Sequence, residues 1–473
     1  MRKDDISRLL ERYLSMQKEG KEPYFDADEI EDLLDSFEES DDFTLYEEIL
    51  QLGMKQHPNH PGLQIKRCKL LVYNEEYKKA LKLIDSITDI DEPELDLLRL
   101  ECYYSLNKCA EAKAYVEKLI RSDCDYLEDV FEYIAPVLGE LGMHETALDF
   151  IRTGQQYFPD NIVLKEELCF NLESAGHIQE AIEVCNELID NNPYSFEDWT
   201  TLGRLYSIQE EYDKAIEAFD FALTCDETDC ETKILKAYCL FMNENYHKAI
   251  EVYSELTNNE QYKYRVMPLM AECYLRLDEY ETAYGLLHES LENNKQYEEP
   301  ASYINYLLCC AKTGRLEEEE KILEKALRLF PDHINLLYLK ALYYTEKGRE
   351  DEAIRTLAYI LEHVKPEDTY INNFTDTHFQ LANLFLKKGD IERALKHYLQ
   401  VIELIPTFPM VHLKAAICYL KLGDTQKFMD HITQCTDEEI IEFEGDYIPG
   451  DSEQNKSPLI DLIKEYVNKK KEK

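Results

Sequence analysis

Apolar and polar positions repeat along this chain with a period of 34 residues. Ala147, Ala181, Ala215, Ala249 and Ala283 follow one another at this interval. Around each alanine, small and large apolar residues return at the three- and four-residue steps of an amphipathic helix. Small side chains let two helices approach closely, and large ones fill the space between them. The pattern therefore predicts tandem pairs of antiparallel helices, none of which could bury its apolar face alone.

The clearest unit runs from residue 196 to residue 229, FEDWTTLGRLYSIQEEYDKAIEAFDFALTCDETD. When it is numbered from 1 to 34, small or apolar residues occupy positions 4, 7, 8, 11, 20, 24 and 27, namely Trp199, Leu202, Gly203, Tyr206, Ala215, Phe219 and Ala222. This arrangement resembles the tetratricopeptide repeat. It departs from that repeat at position 32, where Glu227 replaces proline. In other units position 15 is glycine, as in Gly142 and Gly176, which allows the left-handed conformation that ends a helix.

The resemblance extends over most of the chain. It implies an all-α fold, a right-handed superhelical solenoid of about eleven to twelve antiparallel helix pairs. The register predicts N-terminal helices with a degenerate repeat (1–60), a repeat array (61–362), an inter-repeat insertion (363–376) and C-terminal repeats (377–442), followed by an acidic linker and a terminal helix with a basic tail (443–473). The insertion is inferred from the spacing of 41 residues between Ala353 and Ala394.

The net charge of −45 limits the classes of binding partner that we expect. Nucleic-acid phosphates and anionic membranes both attract clustered Lys and Arg, so we expect neither as a partner. The charged N-terminus lacks the apolar core of a signal peptide, and no later run of about 18 apolar residues could cross a membrane. We therefore expect a cytoplasmic protein. Its acidic surface either serves solubility alone or speeds association with basic partners.

The residues that usually carry chemistry form no catalytic pattern. The fourteen cysteines contain no CxxC pair, and several fall at positions 8 and 10 of first helices, where we expect them to pack as small hydrophobic residues. His57 and His60 flank a turn but offer only two metal donors. The sequence has no phosphate-binding glycine loop, zinc-protease motif or nucleophile motif. We therefore expect no enzyme activity, no cofactor and no bound metal.

Candidate binding residues come from the resemblance. Members of the family usually bind partners in a concave groove lined by positions 2, 5, 9, 12 and 13 of each first helix. In the first half of this chain these positions are mostly acidic with some aromatic residues, and the candidates are Glu101, Tyr104, Glu132, Glu166, Phe170 and Arg204. In the second half they are mostly apolar, and the candidates are Ile234, Tyr238, Phe241, Ile304, Leu308, Tyr338, Leu342, Phe379, Asn383, Leu413 and Ile417. Such apolar side chains either contact a partner or are buried by superhelical winding.

These observations predict a non-enzymatic scaffold that holds a protein or peptide in its groove. The expected partner has a basic part and an apolar part. A chaperone C-terminus is not the expected partner, because the Lys/Asn carboxylate clamp with which some family members bind that segment is absent from the matching positions. The alternative is an accessory or regulatory subunit of an obligate multiprotein complex. The native mass of the purified protein would separate the two hypotheses.

Overall fold

The computed structural model describes residues 3–18, 24–40, 44–87, 92–122, 124–293, 298–363, 371–436 and 439. In these residues the regular secondary structure is helical and contains no strand. The helices in chain order are α1 (Lys3–Lys18), α2 (Ala27–Ser40), α3 (Tyr46–Gln56), α4 (Pro61–Tyr73), α5 (Tyr77–Ser86), α6 (Pro93–Ser105), α7 (Cys109–Ser122), α8 (Leu127–Glu140), α9 (His144–Gln155), α10 (Ile162–Ser174), α11 (Ile178–Asn191), α12 (Phe196–Ile208), α13 (Tyr212–Cys225), α14 (Cys230–Met242), α15 (Tyr246–Leu256), α16 (Glu260–Arg276), α17 (Tyr280–Asn293), α18 (Pro300–Thr313), α19 (Leu316–Leu329), α20 (Ile334–Glu346), α21 (Glu350–His363), α22 (Ile371–Lys387), α23 (Ile391–Leu404), α24 (Val411–Lys421) and α25 (Thr425–Ile432).

The chain divides into two compact units, unit 1 (Met1–Glu244) and unit 2 (Asn245–Lys473). In unit 1, α1 and the pair α2/α3 precede five repeat pairs, α4/α5 to α12/α13, and then α14. In unit 2, α15 precedes five further pairs, α16/α17 to α24/α25. The all-α fold of stacked helix pairs predicted from the 34-residue period is confirmed. We call the first helix of each pair an A helix and the second a B helix. In the same sense, α14 is an A helix and α15 is a B helix.

Each turn from an A helix to the following B helix, from α4/α5 to α24/α25, uses a left-handed residue at position 15. Six of these residues are glycine: Gly142, Gly176, Gly314, Gly348, Gly389 and Gly423. The other five have positive φ without being glycine: Glu75, Asn107, Glu210, Glu244 and Asp278. The turn after α10 shows its role, because the amide of Gly176 donates to Glu173 O (3.0 Å) and the amide of His177 to Leu172 O (2.9 Å). The reversed backbone thus satisfies carbonyls that the helix end leaves open.

Small residues at position 8 set the distance between the two helices of a pair. Gly203 on α12 packs against the buried ring of Phe219 on α13, and a Cβ at this glycine would lie 2.5 Å from a ring carbon. Alanine or cysteine fills the same position in neighbouring units and is buried, as in Ala135, Cys169 and Ala237. Within each unit, the core is therefore a series of A–B contacts that continue from one pair to the next, as expected for a repeat array.

Most of the cysteines occupy the core, which confirms the packing interpretation for them. Ten of them are buried, namely Cys68, Cys102, Cys169, Cys185, Cys239, Cys273, Cys309, Cys310, Cys418 and Cys435. Burial raises the pKa of Cys68, Cys102 and Cys273 to about 12. Because the thiolate is the nucleophile and the metal ligand, these thiols are poorly suited to either role.

Two predicted segments fall partly or wholly outside the described residues. The first is the insertion predicted at 363–376. Its residues 371–376 belong to α22, and its residues 364–370 are not among the residues that the structure describes. The linker and tail predicted at 443–473 lie outside those residues altogether. In the part of the chain that is described, no helix has the length and apolar character needed to cross a bilayer.

Candidate functional site

Hydrogen bonds that join successive A helices show which faces of these helices lie side by side in unit 1. Tyr133 Oη on α8 donates to Glu101 Oε2 on α6 at 2.8 Å. Arg204 Nη2 on α12 donates to Glu173 Oε2 on α10, also at 2.8 Å. The first contact joins position 6 of α8 to position 9 of α6, and the second joins position 9 of α12 to position 12 of α10, so these sides of neighbouring A helices lie next to each other. We call positions 5, 9, 12 and 13 of α6, α8, α10, α12 and α14 the A-helix face.

Four large apolar side chains on the A-helix face are exposed. Phe170 and Tyr238 occupy position 9 of α10 and α14, and their side chains are 50% and 45% exposed. Ile208 and Met242 occupy position 13 of α12 and α14, and they are also exposed. Tyr238 and Met242 are one helical turn apart, so they lie on the same side of α14. The sequence reasoning missed Ile208, although its place at position 13 would have identified it.

Carboxylates next to these apolar residues are poorly neutralised. Burial, together with the charges of Asp198 and Glu197, raises the pKa of Glu166. Burial, followed by the charges of Glu166 and Glu140, raises the pKa of Glu167. Glu167 Oε2 is buried and has no hydrogen-bond partner. The cation at position 9, Arg204, is already bonded to Glu173. This region therefore carries negative charge that a bound cation would stabilise.

The remaining candidate residues in unit 1 differ in the solvent exposure of their side chains. Glu166 and Arg204 are exposed, whereas Glu101, Glu132 and Phe241 are half-buried. Glu101 accepts the Tyr133 hydroxyl, and Glu132 Oε1 accepts from Asn161 Nδ2 at 2.6 Å. The acids predicted for the first half thus remain accessible on this face, although part of their hydrogen-bonding capacity holds neighbouring repeats together.

Four candidate groove residues are core residues and do not line an open surface. Tyr104 and Ile234 are buried in unit 1, and Leu413 and Ile417 are buried in unit 2. The ring of Tyr104 packs edge-on against Phe150 with centroids 6.2 Å apart. Leu413 and Ile417 belong to a cluster with Phe428 and Ile432 of α25. Tyr104, Leu413 and Ile417 are withdrawn from solvent by contacts with later helices, and sequence spacing alone does not reveal these contacts.

The other candidates in unit 2 are mostly half-buried. Phe379 packs against Tyr398 and Phe408, with ring centroids 5.8 and 4.9 Å away. Asn383 Oδ1 accepts the hydroxyl of Tyr398 at 2.6 Å. Ile304, Tyr338 and Leu342 are also half-buried, whereas Leu308 is exposed. In unit 2, therefore, packing accounts for most of the apolar positions, and the exposed apolar residues with adjacent acids occur in unit 1.

Family comparisons match three parts of the chain. A family model described as "Anaphase-promoting complex, cyclosome, subunit 3" matches residues 209–289. A tetratricopeptide repeat model matches residues 300–333 and 375–408. The latter two segments begin at position 1 of the units that contain α18/α19 and α22/α23.

Individual relatives are distant. The chain is 27% identical to anaphase-promoting complex subunit 7 of Dictyostelium discoideum over 233 residues, which is 48% of this chain and 38% of that protein. It is 23% identical to the TPR repeat-containing protein YpiA of Bacillus subtilis (strain 168) over 72% of this chain and 73% of that protein. Among solved structures, the Cut9-Hcn1 hetero-tetramer of the APC/C aligns with 86% of each chain at 13% identity, with a TM-score of 0.39. The alignment thus spans less than half of the Dictyostelium protein and about three quarters of the Bacillus protein.

Proposed function

We propose that this chain, which is a tetratricopeptide repeat protein, is a non-enzymatic scaffold that binds a protein or peptide on the A-helix face of unit 1. The observation that carries the proposal is the combination of exposed Phe170, Ile208, Tyr238 and Met242 with partly buried, poorly neutralised acids on neighbouring helices. Exposed apolar residues on successive A helices are not required for A–B packing, and they favour a binding surface.

The chemistry of this face favours a partner segment with an apolar and a basic part. Aromatic and aliphatic side chains buried at the centre of an interface usually supply most of its binding energy. A Lys or Arg beside Glu166 and Asp198 would lower the pKa values of these two acids, which burial and neighbouring carboxylates raise. Charge complementarity of this kind mainly increases the association rate and makes it sensitive to salt.

The second candidate function is an accessory or regulatory subunit of an obligate multiprotein complex. Its specific support is the match of residues 209–289 to the anaphase-promoting complex subunit 3 model and the similarity to a subunit 7. That segment includes Tyr238 and Met242, so both candidates can use the same face. They differ in whether the partner is permanent. Sedimentation of the protein in its own cell extract separates them, because an obligate subunit sediments only in a large assembly.

The binding face can be tested by site-specific photo-crosslinking. A benzophenone amino acid is placed at Tyr238 and, as the control, at Tyr194, which is 85% exposed and lies before α12 outside the A-helix face. We expect a discrete crosslinked protein from position 238, decreasing as salt is raised, and none from position 194. Equal crosslinking from both positions, or crosslinking from position 194 alone, would contradict the proposal.

A further inference from the structure

Three metal-ligating side chains meet near the start of α2 and α4. Asp28 and Glu31 are one turn apart on α2, and His60 precedes the first residue of α4. Glu31 Oε1 lies 3.4 Å from His60 Nδ1, and Asp28 Oδ1 lies 3.9 Å from His60 Nε2. One donor atom from each residue falls within 4.8 Å of the others. His60 is 29 residues from Glu31 in the sequence, so a search for short motifs does not find the group.

Three other acids of α2 are paired with cations. Glu29 pairs with Arg12 (3.4 Å), and Asp35 and Glu38 share Lys66 (2.5 and 2.7 Å). The group of Asp28 and Glu31, in contrast, faces only an imidazole among the ion pairs of the described residues. Neither carboxylate therefore has a Lys or Arg side chain as an ion-pair partner in the part of the chain that the structure describes.

The backbone leaves room for this group. A Cβ at Gly62 would lie 1.3 Å from Glu31 Oε1, so a residue with a side chain at position 62 would displace the carboxylate. His60 is the N-cap residue of α4, but its side chain makes no capping hydrogen bond. Its Nδ1 is buried and has no hydrogen-bond partner. A buried ring nitrogen that faces a carboxylate without a hydrogen bond is available to a metal ion.

We propose that Asp28, Glu31 and His60 form a binding site for a first-row transition-metal dication, for which Zn²⁺ is the probe. Imidazole nitrogen with carboxylate oxygen is a donor set that suits zinc better than magnesium or calcium. The exposed side chain of Asp28 can rotate toward the ion, whereas the side chains of Glu31 and His60 are half-buried. Three protein ligands leave further coordination positions for water. The site lies on α2 and α4, and it does not depend on the binding function proposed for the A-helix face.

The proposal is tested by titrating the metal-free full-length chain with Zn²⁺ against a chromophoric chelator, in parallel with variants. We expect one saturable site in the wild type, at least about tenfold weaker in His60→Asn and Glu31→Gln, since each removes one ligand. Gly62→Ala retains all three ligands and should also bind at least about tenfold more weakly, because its methyl group displaces Glu31. Co²⁺ in the site should give absorption bands of nitrogen and oxygen ligands without a thiolate charge-transfer band.

Two matched controls make the result specific. Asp35→Asn changes a carboxylate on the same helix that is paired with Lys66, and His177→Asn removes an exposed imidazole 3.1 Å from Glu145 in another repeat. Both should bind Zn²⁺ like the wild type, and circular dichroism should show that all variants remain helical. The proposal is overturned if the wild type binds no more Zn²⁺ than His60→Asn, if Asp35→Asn or His177→Asn weakens binding equally, or if equimolar Mg²⁺ or Ca²⁺ displaces the Zn²⁺.

Discussion

The Nδ1 atom of His378 on α22 lies 2.9 Å from the Nδ1 atom of His397 on α23. His412 and His431, which are 34 residues further along on α24 and α25, repeat this contact at 3.0 Å. A hydrogen bond between two such nitrogens needs one ring to donate and the other to accept, so both rings cannot be protonated on Nδ1. Each contact joins the A and B helices of its repeat, and both pairs are half-buried or buried.

The first prediction concerns the pH dependence of these last two repeats. Burial, with smaller contributions from His397 and Lys396, lowers the pKa of His378 to about 4. Burial also lowers the pKa of His397 and of His431. Below the ordinary histidine value of about 6.5, the unfolded chain therefore binds more protons than the folded chain, and stability falls with pH. The stability that the neutral histidines contribute is fully present above a pH of about 6.5.

Thermal unfolding at pH 7.5 and 5.5 measures this effect. We expect the melting temperature of the wild type to fall more between these pH values than that of the double variant His378→Asn/His397→Asn. The control is His247→Asn on α15, which removes an exposed imidazole and should leave the pH dependence unchanged. If the double variant loses as much stability as the wild type on acidification, the histidine pair is not the cause.

The second prediction concerns the left-handed turn residues. A non-glycine residue in the left-handed conformation destabilises the folded protein by about 1–2 kcal/mol. Glycine avoids this strain but loses about 0.5–1 kcal/mol more in backbone entropy on folding, so its net advantage is smaller. Glu210 has φ of 61°, whereas Gly176 has φ of 82° at the same position of the preceding pair, with nothing within 4 Å of a Cβ built there. We expect Glu210→Gly to raise the free energy of unfolding by about 0.5–1 kcal/mol and Gly176→Ala to lower it by about 1 kcal/mol. Urea denaturation measures both, and shifts of the same sign would contradict the argument.

The fold could be predicted from the sequence because its determinants are local and periodic. The register places position 15 at Glu210 and Asp278 as readily as at Gly176, and the structure gives all three positive φ. Exposure could not be predicted in this way, since it depends on contacts between pairs. Tyr104 is buried against Phe150 of α9, while Phe170, at a similar groove position, remains exposed. The group of Asp28, Glu31 and His60 was missed for the same reason, because two different pairs contribute to it.

The third prediction concerns an acid at a position that is alanine in most units. Glu319 on α19 occupies position 20, and its Oε2 is buried without a hydrogen-bond partner. Burial, with the charge of Glu346, raises its pKa, while Lys347 partly opposes this. The ionised side chain is therefore destabilising at neutral pH. We expect Glu319→Ala to stabilise the protein by about 1 kcal/mol.

Denaturation at pH 7 and at lower pH checks this prediction. A raised pKa means that the folded chain holds the proton more readily, so the advantage of Glu319→Ala should shrink as pH falls toward the ordinary value for glutamate. The matched control is Glu324→Ala, an exposed acid on the same helix, which should change stability by less than about 0.5 kcal/mol. An equal gain from both variants would point to overall charge reduction instead.

The last prediction separates binding from packing with three tyrosines. Tyr238 is 45% exposed on the A-helix face, Tyr338 is half-buried against the core of unit 2, and Tyr194 is exposed outside that face. Once the crosslinked partner is known, Tyr238→Ala should weaken its binding by about 1–3 kcal/mol, because it removes a central apolar contact. Its melting temperature should stay near the wild-type value. Tyr338→Ala should instead cost about 1–2 kcal/mol of folding stability, since it leaves a space beside Leu337 and Ala341. Tyr194→Ala should change neither quantity. If Tyr238→Ala melts far lower and binds like the wild type, Tyr238 stabilises the fold and the A-helix face is not the binding surface.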